Sequence, residues 1–291
     1  MVTFSLMLLL AGADPDDGLA KKMLPIYRKD AETYSLTVES APKQALEFKK
    51  EPLFEWLNPA RSAQQGTLFL WLRDGRPAAL VCIFSSSDDT LPGRRIMHEF
   101  HALDPEKLIV TRNEYNEWKP RAGLARKELT GSAPPATTPS ARRRQMRQLA
   151  QEFSGYSVDR DGKRWELRLL PTPLYRYPVA KSGVVDGALF ALMSSAGTDP
   201  EVLLLIEAKM EDGKLRWEYA CGRFSDWELH VQRKNTEVFS SIPSDTNPFF
   251  NDPLHLYRIY PVKVVTPDGK LLARFRSSST NPWEVIPVED K

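Results

Sequence analysis

Two segments of the chain are apolar at successive rather than alternate positions: Thr67-Leu-Phe-Leu-Trp-Leu72 and Ala78-Ala-Leu-Val-Cys-Ile-Phe84. Such runs read as strands buried on both faces, and the Asp74-Gly75 pair between them reads as the turn of an antiparallel hairpin. Arg94 to Leu103 and Lys107 to Arg112 read as the next strands, and Leu256 to Val265 with Leu271 to Phe275 as a later hairpin around Thr266-Pro-Asp-Gly269. Helical spacing shows at Met146, Leu149, Ala150 and Phe153, with Pro139-Ser140 before them as the N-cap. Met23, Tyr27, Ala31 and Tyr34 make a looser stripe, which survives as a helix if Pro25 lies in its first turn. One helix covers one face of a sheet. The other face of a doubly buried strand then needs a second sheet.

That second sheet is foreshadowed by an internal repeat. Glu51-Pro-Leu-Phe-Glu-Trp56 reads like Thr172-Pro-Leu-Tyr-Arg-Tyr177, and Gly66-Thr-Leu-Phe69 like Gly187-Ala-Leu-Phe190, both at a spacing of 121. Pro77 to Ile83 matches Pro200 to Ile206 after a shift of two residues that falls at the Asp74-Gly75 turn. The spacing of 121 then returns, pairing Arg95 with Arg216, Leu108 with Leu229, Val110 with Val231 and Arg112 with Arg233; upstream, Leu46 pairs with Leu167 at 121 and Tyr34-Ser35 with Tyr156-Ser157 at 122. Matches lie in apolar runs and shifts lie in turns, as a duplicated supersecondary unit requires.

Composition narrows the class. Of 291 residues, 42% are hydrophobic and 27% charged, enough for a buried core. Lys plus Arg number 40 against 38 Asp plus Glu, so no global footprint for nucleic acid or an anionic membrane exists. The 23 prolines argue against a mainly helical chain. Val2 to Leu10 followed by Ala11-Gly12-Ala13 reads as a signal peptide over residues 1–13, although no Lys or Arg precedes the apolar run. It is half of the roughly 20 apolar residues that cross a bilayer, and no other segment is long enough. The expectation is therefore export to the periplasm or cell envelope, with no transmembrane segment after cleavage. Cys82 and Cys221 permit one disulfide, but nothing brings them together, and they read as buried free thiols.

Several motifs approach a chemistry and miss it. His98-Glu99-Phe100-His101 is one residue short of the zincin motif and lies in a strand, where His98 and His101 face opposite ways. Ser157, Asp159, Asp161 and Gly162 fit the start of a calcium loop, but Arg168 stands where the bidentate Glu belongs, so the segment reads as a turn. Ser40 and Lys43 have SxxK spacing broken by a proline. No spacing of His98, His101, His230 or His255 favours a catalytic triad. Arg142-Arg-Arg144 with Arg147 starts the second helix, where the macrodipole disfavours cations and a phosphate, a carboxylate or water must compensate. The repeat-related pairs Arg95/Arg216 and Arg112/Arg233 are the candidate ligand or partner contacts, since a pseudo-twofold can gather them around an anion. No catalytic, metal or cofactor residue is assigned, and no cofactor is expected.

At Arg144-Gln-Met-Arg147, Leu169 to Tyr177, Asp186 to Phe190 and Gly197 to Glu207 the chain resembles a family of uncharacterised exported bacterial proteins. The resemblance is strongest over 140–240 and looser over 50–120, and it implies no activity, cofactor or catalytic residue.

Together these readings predict an α+β protein of two similar tandem domains, 20–119 and 140–240, each a helix followed by an antiparallel β-meander. A Pro-rich linker over 120–139 joins them and a C-terminal hairpin extension occupies 241–291. The expected function is a non-catalytic binding or envelope-associated module, with a protein or glycan partner and no nucleic acid, using the interdomain groove or a strand edge. The alternative is a hydrolase with a dispersed active site. Catalysis calls for a pocket of converging carboxylates or histidine with shifted pKa values; binding calls for an apolar or arginine-lined groove.

Overall fold

The computed structural model describes residues 15–87, 92–112, 115–178, 183–195, 197–243, 253–276 and 284–288. The signal-peptide reading of residues 1–13 lies outside them. The first half comprises α1 (Pro15–Ala31), β1 (Tyr34–Val38), β2 (Glu47–Asn58), β3 (Gln64–Arg73), β4 (Arg76–Ser87), β5 (Arg94–Ala102), β6 (Leu108–Arg112) and β7 (Tyr115–Trp118). β8 (Lys127–Glu128) lies in the connection to α2 (Pro139–Ala150), β9 (Phe153–Val158), β10 (Arg164–Leu169), β11 (Tyr175–Tyr177) and β12 (Val184–Ser194). β13 (Pro200–Glu211), β14 (Lys214–Arg223), β15 (Glu228–Arg233) and β16 (Thr236–Ser241) follow, then β17 (Tyr257–Val265), β18 (Leu271–Arg276) and β19 (Glu284–Pro287).

These strands form three sheets: seven strands in the order β19-β18-β17-β5-β4-β3-β2, nine with the path β16-β15-β9-β10-β12-β13-β14-β8 and β11 beside β12, and three in the order β1-β6-β7. The α+β expectation is overturned. The protein is mostly β, with 56% strand against 11% helix and only two helices among the described residues. The two meanders are not closed units with a hairpin appended. β17 zips along β5 from Tyr257↔His101 to Val265↔Arg94, which makes the C-terminal strands part of the first large sheet. Lys127 and Glu128 of the connection pair with Tyr219 and Glu218 at the edge of the second. β1 and β6 leave the first sheet to pair with each other, whereas β9 and β15 stay in the second. Periodicity marks a strand but not its distant partner, and an unpaired edge accepts whichever strand the chain returns to it.

The rungs of the two large sheets can be compared directly. Gly66 faces Phe84 and Gly187 faces Glu207; Leu80 faces His101 and Leu203 faces Gly222; Ser86 faces Arg95 and Lys209 faces Arg216. Each second-half pair lies 121 residues beyond its counterpart on one strand and 123 on the other. An aromatic ring sits on the matching glycine in each sheet, where an added Cβ would lie 2.7 Å from Trp56 at Gly66 and 2.4 Å from Tyr177 at Gly187. The upstream match does not hold: Tyr34 faces Arg112, but Tyr156 faces His230 and it is Phe153 that faces Arg233.

Both faces of the central strands are buried, and alternate side chains go to different cores. Leu68, Leu70, Leu80 and Cys82 meet Leu189, Leu203 and Leu205 of the opposite sheet in one shared core. Phe69, Trp71, Val81 and Ile83 point outward beneath Met23, Tyr27 and Ala31 of α1. Phe190, Leu204 and Ile206 do so beneath Met146 and Leu149 of α2. Helix α1 begins at Pro15, so Pro25 lies inside it and not in the first turn. Thr138 caps α2 by accepting from the Ala141 N–H, one residue before the expected Pro139-Ser140 cap. A carboxylate compensates the arginines there: Arg142 Nε donates to Asp186 Oδ2 at 3.0 Å.

At one end of the shared core, Glu207 of β13 is fully buried. Arg76 from the β3–β4 turn grips it with Nε at 2.7 Å and Nη2 at 2.6 Å, Arg126 of the connection reaches it at 3.1 Å, and the Tyr177 hydroxyl donates at 2.7 Å. Burial pushes this carboxyl up, but the two arginines outweigh it and hold it at about 2. Glu207→Gln leaves two guanidinium groups buried without a counter-charge and is expected to cost about 3–5 kcal/mol in urea unfolding. Gly187→Ala is expected to cost about 1–3 kcal/mol through overpacking on Tyr177. Glu207's contribution is present above pH 4.5 and lost as pH falls through about 2.

Candidate functional site

A cavity of about 390 Å³ opens at the other end of the seam between the large sheets. β5 supplies Arg95, Met97 and Glu99, alternate residues on its inward face. The β2–β3 turn supplies Arg61, and the second half contributes Arg160, Asp199, Asp226 and Trp227 among others.

Glu99 is 6% exposed, and the Tyr257 hydroxyl donates to its Oε1 at 2.6 Å. Burial pushes the Glu99 carboxyl well above the usual range; the Tyr257 hydrogen bond opposes this, and Asp226 and Asp199 push it further up. Burial thus favours the protonated form of this carboxyl, which can donate as well as accept. Arg61 binds Asp199 Oδ2 at 3.1 Å and Glu201 Oε1 at 2.5 Å. Asn58 Nδ2 donates to Asp199 Oδ1 at 2.8 Å. Burial raises both acids, Glu201 to about 6, because one arginine only partly compensates two carboxylates. The Arg61 guanidinium lies 3.2 Å from the Trp227 ring centre, Trp165 stacks at 6.4 Å from Trp227, and Lys163 caps Trp165 at 3.7 Å. On the rim, Arg160 binds Asp226 at 2.8 Å.

A second, more apolar cavity of about 380 Å³ includes His101, Cys221, Arg223 and Tyr257 in its wall. The Tyr257–Glu99 hydrogen bond thus joins the walls of the two cavities. His101 donates from Nδ1 to the Ala102 carbonyl at 2.7 Å, and its ring lies against Gly222. His98 points the other way into a buried network: Nε2 meets Asp30 Oδ2 at 3.1 Å, Nδ1 meets the Tyr34 hydroxyl at 2.6 Å, and Lys263 binds Asp30 at 2.6 Å. Burial lowers both histidines to about 4.

The four arginines singled out from the repeat are not brought together. Arg95 lines the first cavity, with its guanidinium 5.7 Å from the Phe275 ring centre. Arg216 pairs on the surface with Glu211 at 3.4 Å. Arg112 stacks on Tyr34 at 5.4 Å. Arg233 ties Glu152 to the Thr130 carbonyl and the Ser132 hydroxyl. Asp159 organises the turn before β10, accepting from the N–H groups of Asp161 and Lys163 and from the Trp165 indole. Both cysteines are free. Among the described residues no group of His, Cys, Asp and Glu side chains is arranged to hold a metal ion, and no helix is long and apolar enough to cross a membrane. Sequence reading missed Glu99, Asp199 and Asp226. The available signal was an acidic residue at the start of a strongly apolar strand, as at Asp199-Pro-Glu201; Glu99 lies among the charged and histidine residues of β5 and carried none.

The comparisons place no relative beside this site. No family model, curated protein or solved structure matches the chain.

The site predicts an unusual pH profile. The folded state keeps the Glu99 proton that the unfolded chain loses above pH 4.5, so native stability falls as pH rises past that point. Glu99→Gln keeps a partner for Tyr257 and removes this penalty, and its Tm is expected to exceed that of the wild type by a margin that widens from pH 5 to 8. A Tm lower than wild type at pH 8 contradicts the assignment. On the acid side, His98 and His101 bind protons in the unfolded chain at about 6.5 and in the folded one at about 4. Their contribution to stability is lost as pH falls through that window, and a His98→Gln, His101→Gln double variant is expected to flatten this limb in thermal melts.

Proposed function

We propose that the protein is an exported binding module, built on an internal duplication, that takes a small polar ligand in the cavity between the two large sheets. The matching rungs and ring-on-glycine contacts support the duplication. The observation that carries the binding reading is the joint construction of the cavity: β5 and the β2–β3 turn from one half converge with three turns of the other on a concave site of ligand size. Two half-buried arginines, Arg61 and Arg95, an exposed one on the rim, Arg160, and a buried carboxyl pushed toward its protonated form give it orienting groups that a packing defect lacks.

The hydrolase reading draws on the convergence of Glu99, Asp199 and Asp226 in the same wall. Against it, Asp199 is committed to Arg61 and Asn58, and Asp226 to Arg160, so neither stands ready as a base. A thermal-shift panel of saccharides, amino acids, nucleotides, lipids and divalent metals separates the readings. A ligand at about 100 times its Kd adds roughly 2.7 kcal/mol, and Arg61→Met is expected to abolish that shift. Turnover of chromogenic esters or glycosides that disappears in Glu99→Gln would replace binding by hydrolysis as the function.

A further inference from the structure

We infer that the ligand of this cavity is a saccharide, recognised through hydroxyl groups by Glu99 and the Arg61–Asp199 and Arg160–Asp226 pairs. The inference rests on the binding reading above and goes beyond it by naming the ligand class.

A hydroxyl group both donates and accepts, so a polyol needs a wall where donors and acceptors alternate. This wall supplies them: Arg61 beside Asp199, Arg160 beside Asp226, and in the same wall the Glu99 carboxyl, whose burial favours its protonated form. Tyr257 donates to Oε1, which leaves Oε2 as the oxygen of Glu99 to carry a proton. Both ion pairs are formed before any ligand arrives. A phosphate would meet Asp199 and Asp226 as well as the arginines, and a polyamine would meet three guanidinium groups. A neutral polyhydroxy ring meets neither repulsion. Among further polar side chains such as Gln64 and Ser86, the wall also carries Trp56, Phe84, Met97 and Phe224, whose apolar surfaces suit the C–H faces of such a ring. The volume lies near the lower end of the roughly 300–1,000 Å³ of ligand pockets, room for about one or two sugar rings.

The test is calorimetric titration and thermal shift of the purified protein with glucose, galactose, N-acetylglucosamine, cellobiose and galacturonate. ATP, glutamate, citrate and spermidine serve as the comparison set. The expected result is binding of at least one saccharide, weakened about tenfold or more by Asp226→Ala or Glu99→Ala and much less by Glu99→Gln, which keeps a donor and an acceptor. Asp226 sits on the rim, so its variant remains informative if Glu99→Ala does not fold. Saccharide binding indifferent to all three substitutions overturns the inference. Binding of only a comparison compound, lost in the same variants, overturns the saccharide assignment and leaves the cavity reading standing. A folded protein that binds none of these probes overturns both.

Discussion

Glu207 and the groups that neutralise it set how the two large sheets meet. Apolar faces alone leave freedom to slide, because the hydrophobic effect has no direction. A carboxylate withdrawn from water removes that freedom. It must keep Arg76 of one sheet, Arg126 of the connection and Tyr177 of its own sheet within hydrogen-bond reach, since a buried charge without partners is far more costly than a displaced leucine. The shared leucine core supplies the attraction, and this clamp selects one register of it.

The same chemistry is repeated at the other end of the seam with less compensation. There a single arginine serves two acids, Asp199 and Glu201, and Glu201 rises to about 6 where Glu207 falls to about 2. The difference is one of stoichiometry: two guanidinium groups and a phenol on one carboxylate, against one guanidinium shared by a pair. The under-compensated end is the one that opens into the cavity and carries Glu99, whose carboxyl burial pushes up. Stability is thus concentrated away from the candidate site, and the groups that lower stability surround it.

A third polar cluster fastens the C-terminal strands. Tyr34 of β1, His98 of β5, Tyr260 of β17 and Asp30 near the end of α1 share hydrogen bonds beneath the helix, and Lys263 of β17 closes the set on Asp30. These bonds join residues separated by up to 233 positions along the chain. The last large strand is therefore held to the first sheet by side chains as well as by its ladder.

The sequence was informative wherever structure follows from neighbours in the chain. Continuous apolar runs at 67–72 and 78–84 foretold strands with two buried faces, and of the stripe Met146, Leu149, Ala150 and Phe153 the first three form the buried face of α2 while Phe153 opens β9. The spacings of 121 and 123 anticipated rungs that occupy matching places in two sheets. The fold class was not legible, because β17 on β5 and β8 on β14 are pairings between distant segments that leave no periodic mark. Nor was the candidate site. The surroundings of Glu99 and Asp199 arise from burial, and Asp199 meets an arginine, Arg61, contributed by the other half. Local pattern alone determined which segments are strands and which of their faces avoid water. Tertiary structure alone decided which edges join and which carboxyls are pushed up or held down, since both depend on what a residue faces across space.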